Sequence, residues 1–221
     1  MLKRFVLGLL ALSLLGVVPA RAIDLGIWEG SPGFDETLPV IGAENLQIDV
    51  PFAILMEKET GTVLFEQAAD VITAPASITK IMTTLLIMEE LEAGRLSLDD
   101  MVTTSARASG MGGSQVFLEE GEQMTVRDML KSIIVSSAND AAAAMAEHIA
   151  GTEAAFAARM NQRAAELGMV NTTFVNSTGL PEEGAENEVT ARDVALMSRA
   201  LIRHEQVKEF TTIWMDTVRN G

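Results

Sequence analysis

The stretch Ala74–Leu91, APASITKIMTTLLIMEEL, most constrains what this chain can become. Pro75 stands where a first helical turn should begin, a position whose N–H has no helical partner in any case. Ile78, Ile81, Met82, Leu85, Leu86 and Met88 follow at helical spacing, and Ile87 and Leu91 fill much of what remains. A helix apolar on nearly all sides belongs in the middle of a domain. Its first turns nevertheless carry Ser77 and Lys80, which share a face because they are three residues apart. A hydroxyl beside an amine in partly dry surroundings is a nucleophile with a candidate base. The same pair also reads as a capping serine and a snorkelling lysine. Ser-x-x-Lys is expected by chance about once in a chain this long, so the remaining residues must decide.

The N-terminus predicts a secretory signal over residues 1–22. Lys3 and Arg4 precede the apolar run Phe5–Val18, Pro19 breaks it, and Ala20-Arg21-Ala22 is a small-residue cleavage site. The run is short for a membrane span of about 20 residues. The expected destination is the periplasm or the outer face of the cytoplasmic membrane. Without Lys3, Arg4 and Arg21 the chain has 13 basic and 31 acidic residues, a net charge of −18. That balance argues against nucleic acid and against a polybasic membrane patch. There is no Cys, which excludes disulfides, thiol chemistry and lipid attachment through a thiol. Residues 23–50, rich in Gly, Pro and acidic side chains, read as a linker or extended leader.

From Pro51 the pattern changes. Phe52–Met56 and Thr62–Phe65 flank Glu59-Thr60-Gly61 and predict a hairpin. The central helix should stop near Gly94, and residues 96–108 read as a loop with a short helix. Gly110–Ser114 is Gly-rich, but no Gly-Lys-Ser/Thr follows, so it is not a phosphate loop; a backbone in close approach or with unusual dihedrals is the reading. Thr125 and Asp128 predict a capped helix to Val135. An Ala-rich helix follows to Ala150, with Asp140 as its expected cap. Further helices are expected over 152–167 and 190–204, with a turn-rich connection over 171–188 and a strand over 210–218. The outline is α/β, with a helical block interrupting an antiparallel sheet.

Chemistry narrows by elimination. His148 and His204 both fall on expected helices and neither sits in a Gly-x-Ser-x-Gly context. Two distant His and no Cys make zinc a poor fit. The adjacent pairs Glu89-Glu90 and Glu182-Glu183 read as solvated surface rather than as a glycosidase pair. Ser77 with Lys80 remains. A neutral lysine at pH 7 costs about 4–5 kcal/mol from an unperturbed pKa, which desolvation can supply. Ser137 and Asn139, sixty residues on between two helices, are candidates for a second polar pair, though helix ends carry such residues for plainer reasons.

At this point the residues resemble a known family. Ser77-Ile78-Thr79-Lys80 followed by Ser137-Ala138-Asn139 resemble the first two motifs of the penicillin-binding, serine-dependent peptidases. PASITKIMT, ASGMGGSQVFLEEGEQMTV, SSANDAAAAMAEHIAG, NSTGLP and TARDVALMSRALI resemble, more narrowly, the bacterial D-alanyl-D-alanine carboxypeptidases over residues 47–221. The resemblance implies a penicillin-binding/β-lactamase-like transpeptidase fold and no cofactor or metal. It implies catalytic roles for Ser77, Lys80 and Ser137, and substrate binding by Asn139. The implied substrate is a peptidoglycan stem peptide ending in D-Ala-D-Ala, with β-lactam antibiotics as inhibitors. One departure stands out: the family's third motif, Lys-Thr-Gly, does not occur. Residues 51–221 are therefore expected to be an incomplete catalytic domain, truncated before its last sheet strands and inactive alone. Membrane association is expected only through a C-terminal anchor outside this sequence. A serine β-lactamase of the same fold and a non-catalytic cell-wall-binding protein on this scaffold are the alternatives.

Overall fold

The structure, a computed structural model, describes residues 46–182 and 184–219. The expected signal and most of the expected leader lie outside the described residues. The chain divides into two units at Ala68.

In the first unit β1 (Ala53–Met56) pairs antiparallel with β2 (Val63–Gln67), in the register Ala53 to Gln67 and Leu55 to Phe65, with an irregularity between Leu55 and Met56. This is the hairpin expected from the sequence. Its turn is locked by Glu57, whose carboxylate accepts the N–H groups of Glu59 and Thr60, while Gly61 takes the left-handed backbone that ends the turn.

The second unit is built around the central helix. A 3-10 turn (Ala76–Thr79) leads into α1 (Lys80–Glu92). Residues 82–88 are all buried, and Met82, Leu85 and Ile87 are fully so; each such side chain contributes about 1.5–3 kcal/mol of burial. Ile78 departs from the expected stripe, at 47% exposure, because it lies in the 3-10 turn rather than on the α-helix. The helix ends where Gly94 turns left-handed and the Arg95 N–H reaches back to the Glu90 carbonyl.

Around α1 pack α3 (Val126–Ser136), α4 (Asn139–Ala150), α5 (Glu153–Glu166) and α6 (Ala191–Leu201), with the short α2 (Ala106–Ser109) lying against α4. Thr125, Thr152 and Thr190 cap α3, α5 and α6 through their hydroxyls, each such cap being worth about 1 kcal/mol. In α4 the run Ala141–Ala146, with Met145 its one longer side chain, is wholly buried. Such short side chains let neighbouring helices approach closely without loss of helix propensity.

Four expectations need correction. Residues 96–108 contain a strand, β3 (Met101–Thr103), paired antiparallel with β4 (Gln123–Thr125), so that Val102 and Met124 both reach the core. Three residues are too few for an alternating pattern to declare itself. Residues 210–218 are not a strand: α7 (Lys208–Thr211) buries Phe210, and the chain then turns with Trp214 93% exposed. No strand pairs with this stretch among the described residues, and without a partner the helical turn from Lys208 satisfies the backbone locally. Asp140 does not cap α4. It sits in the first turn, fully buried, where its carboxylate accepts N–H groups from Val116, Leu118 and Ala141. His204 lies beyond the end of α6, its Nδ1 2.9 Å from a Glu92 carboxylate oxygen. Among the described residues no helix is long and apolar enough to cross a membrane.

Candidate active site

The head of α1 is where the polar groups converge. Pro75 begins the turn and Ala76 follows with a φ of 46°, a left-handed backbone that a residue with a Cβ adopts only under constraint. Ser77 comes next and is exposed. One turn on, Lys80 is only 5% exposed. Its Nζ lies 3.2 Å from Ser77 Oγ and donates to the Thr178 carbonyl at 2.9 Å. Burial lowers the pKa of Lys80 to about 8, because removing water disfavours the ammonium more than the amine. The arrangement is a solvent-facing hydroxyl backed by a dry amine.

The acceptor comes from the loop 176–180, ninety-eight residues away along the chain. That loop is held on several sides. Thr83 donates its hydroxyl to the Ser177 carbonyl at 2.7 Å, and Glu153 accepts the Ser177 N–H at 2.6 Å. Asn176 Oδ1 accepts from the backbones of Thr178 and Gly179. Gly179, at φ 81°, passes so close beneath Ala76 that only a glycine fits.

The other two expected residues lie where α3 gives way to α4. Ser137 ends α3 in a left-handed conformation and is half-buried. Asn139 opens α4 and is buried; its Nδ2 donates to Gly112 O at 2.8 Å and its backbone N–H to Ser114 O at 2.7 Å. Its Oδ1 is buried without a partner. A Cβ on Gly113 would come within 2.7 Å of Asn139 Nδ2, so the Gly-rich loop makes the close approach expected of it. Ser77 and Lys80 are thus joined directly. Asn139 is bonded to the Gly-rich loop, and among the described residues no hydrogen bond runs from Ser137 or Asn139 to Ser77 or Lys80. Reading the residues missed Thr178, Asn176, Asn187 and Glu153. The signal for the first three was a cluster of Asn, Ser, Thr and Gly between helices, which marks a turn but says nothing of its distant partner, while Glu153 reads only as a first-turn acid of α5.

The fold is that of the penicillin-binding proteins. A peptidoglycan synthesis regulatory factor from Streptococcus pneumoniae superimposes with a TM-score of 0.75 at 34% identity, over 79% of this chain and 53% of that one. Penicillin-binding protein D2 from Listeria monocytogenes, in its ampicillin-bound form, does so with a TM-score of 0.71 at 32% identity, over 80% of this chain and 72% of that one. More narrowly, the chain belongs to the D-alanyl-D-alanine carboxypeptidase family, whose sequence profile matches residues 40–220. It is 50% identical over 169 residues to the D-alanyl-D-alanine carboxypeptidase DacF of Bacillus subtilis, which covers 76% of this chain. It spans 43% of that relative, and so less than half its length.

Proposed function

We propose that the protein is a serine-type D-Ala-D-Ala carboxypeptidase in which Ser77 is the nucleophile and Lys80 the base. The observation that carries this reading is the 3.2 Å contact between a buried amine and an exposed hydroxyl. A lysine with a pKa near 8 is neutral in a useful fraction of molecules at neutral pH. In that form it accepts the Ser77 proton while Ser77 Oγ bonds to the carbonyl carbon between the two terminal D-alanines of a stem peptide. The C–N bond then breaks, and the leaving nitrogen takes the proton back and departs as D-alanine. Water adds to the resulting ester, and its hydrolysis frees Ser77 and the shortened peptide.

The Ser77 N–H, in the 3-10 turn that leads into α1, serves in this reading as one donor to the developing oxyanion. Donors of this kind are worth about 10²–10³ in rate. In this reading Ser137 assists proton transfer and Asn139 binds the substrate amide. Family membership supports the substrate class, and the ampicillin-bound relative supports β-lactams as ligands; in this reading they acylate Ser77. The signal-like residues 1–22 support export to the periplasm or the outer face of the cytoplasmic membrane, and residues 51–221 are read as belonging to the catalytic domain. The test is fluorescent-penicillin labelling of the intact protein beside Ser77→Ala, with D-alanine release measured in parallel. Labelling and release lost together in the variant are expected; equal labelling of both proteins would overturn the assignment.

A further inference from the structure

Asn187 hydrogen-bonds neither Ser77 nor Lys80, yet it joins the two pieces of chain that hold them. Its side chain is 1% exposed and its hydrogen-bonding capacity is filled. Oδ1 accepts from the backbone N–H groups of Val175, at 2.7 Å, and Asn176, at 3.2 Å. Nδ2 donates to Thr79 Oγ1 at 2.9 Å and to the Asn176 carbonyl at 3.1 Å. Thr79 closes the turn that carries Ser77. Asn176 organises the loop whose Thr178 carbonyl meets Lys80.

We propose that Asn187 is a positioning residue for the Ser77–Lys80 pair, fastening the nucleophile's turn to the loop that orients the base. The proposal rests on the reading of Ser77 and Lys80 given above. The links close a ring: Thr79 to Asn187, Asn187 to Asn176, Asn176 to Thr178, Thr178 to Lys80, and Lys80 by its peptide bond back to Thr79. The ring has a chemical consequence. A neutral amine has two N–H donors and one lone pair. When the Thr178 carbonyl takes one N–H, rotation of the amine is restricted and the lone pair is free to face Ser77. The same loop keeps water from Lys80, and burial is the cause of its lowered pKa. Loosening the ring therefore both misdirects the amine and rehydrates it. The titratable group facing the loop from α5 is Glu153, itself raised by burial, with Arg107 and Glu182 acting on it in turn.

The experiment is acylation of the intact protein by fluorescent penicillin from about pH 6 to about pH 10, reading rate and end-point labelling separately. Asn187→Leu removes the amide at nearly constant volume and, unlike aspartate, brings no charge that would itself raise the Lys80 pKa. Thr79→Val removes only the hydroxyl from the other side of the same link, and carries the test if the first variant does not fold. In both, the labelled fraction at the end point should equal that of the parent. The rate should fall on the order of tenfold to a hundredfold, and its acid limb should move toward higher pH. Thr79→Ser, which keeps the hydroxyl, should retain the parent rate and limb. An unmoved acid limb, or a reduced labelled fraction that reacts at the parent rate, would mean a merely structural asparagine and overturn the proposal. A parent protein that takes no label would overturn the Ser77 assignment and this inference with it.

Discussion

A methyl group placed on Gly179 would lie 1.8 Å from the carbonyl oxygen of Ala76. The loop that supplies the Lys80 acceptor and the turn that carries Ser77 are therefore in backbone-to-backbone contact, and neither can yield without moving the other.

Gly179→Ala should accordingly cost about 2–4 kcal/mol of stability, from a left-handed residue forced against main chain, and abolish acylation. Gly184 has a similar φ, 84°, but open space around it. Gly184→Ala should cost only the backbone penalty, about 1 kcal/mol, with acylation retained. Chemical denaturation of the two variants side by side, with penicillin labelling, separates the clash from the conformational term.

Lys80→Arg should not acylate at any accessible pH, because arginine does not give up its proton. In the parent protein the acylation rate should fall about tenfold per pH unit below a limb near the Lys80 pKa of about 8. Stopped-time labelling across the pH range checks both statements.

The same lysine leaves a mark on stability. Its folded pKa lies below its unfolded value, so between about 8 and about 10.5 the unfolded chain binds the extra proton. Stability therefore rises with pH through that window, and below it burial of the ammonium is unfavourable by about 3 kcal/mol. Lys80→Met should be more stable than the parent at neutral pH, with the difference shrinking as the pH approaches 10. Denaturation midpoints measured at several pH values are the check; a constant difference would contradict the burial argument.

Asp140→Ala should destabilise by about 2–4 kcal/mol, since it strands the buried N–H of Leu118 together with that of Val116. Because these N–H groups lie just beyond the Gly-rich loop that receives Asn139, slower acylation should accompany the loss. Asp140→Asn, which keeps one acceptor oxygen, should recover part of both.

What could be read in advance was local. The threonine cap at Thr125 and the stop at Gly94 involve residues within about one turn of each other, and both were legible. So was the Ser77–Lys80 pair, which is set by helical spacing alone. What escaped was fixed by distant partners. β3 exists because β4 lies beside it, and Phe210 turns inward because a helix, not a neighbouring strand, satisfies its backbone. Asp140 looks like a cap in one dimension; in three it is the anchor of a loop more than twenty residues upstream. The Thr178 carbonyl could not have been chosen as the lysine's acceptor, since a backbone oxygen carries no side-chain signature.

The ninety-eight residues between Lys80 and its carbonyl acceptor have a consequence for timing. Ser77 and Lys80 are neighbours from the moment they are joined by peptide bonds, but in an unfolded chain the amine is hydrated, protonated and inert. It loses that hydration only when the loop around Thr178 arrives and closes over it. The nucleophile is thus silent in newly made or misfolded molecules and awakens when that long-range contact forms. A penicillin label that enters at Ser77 consequently counts finished molecules rather than chains.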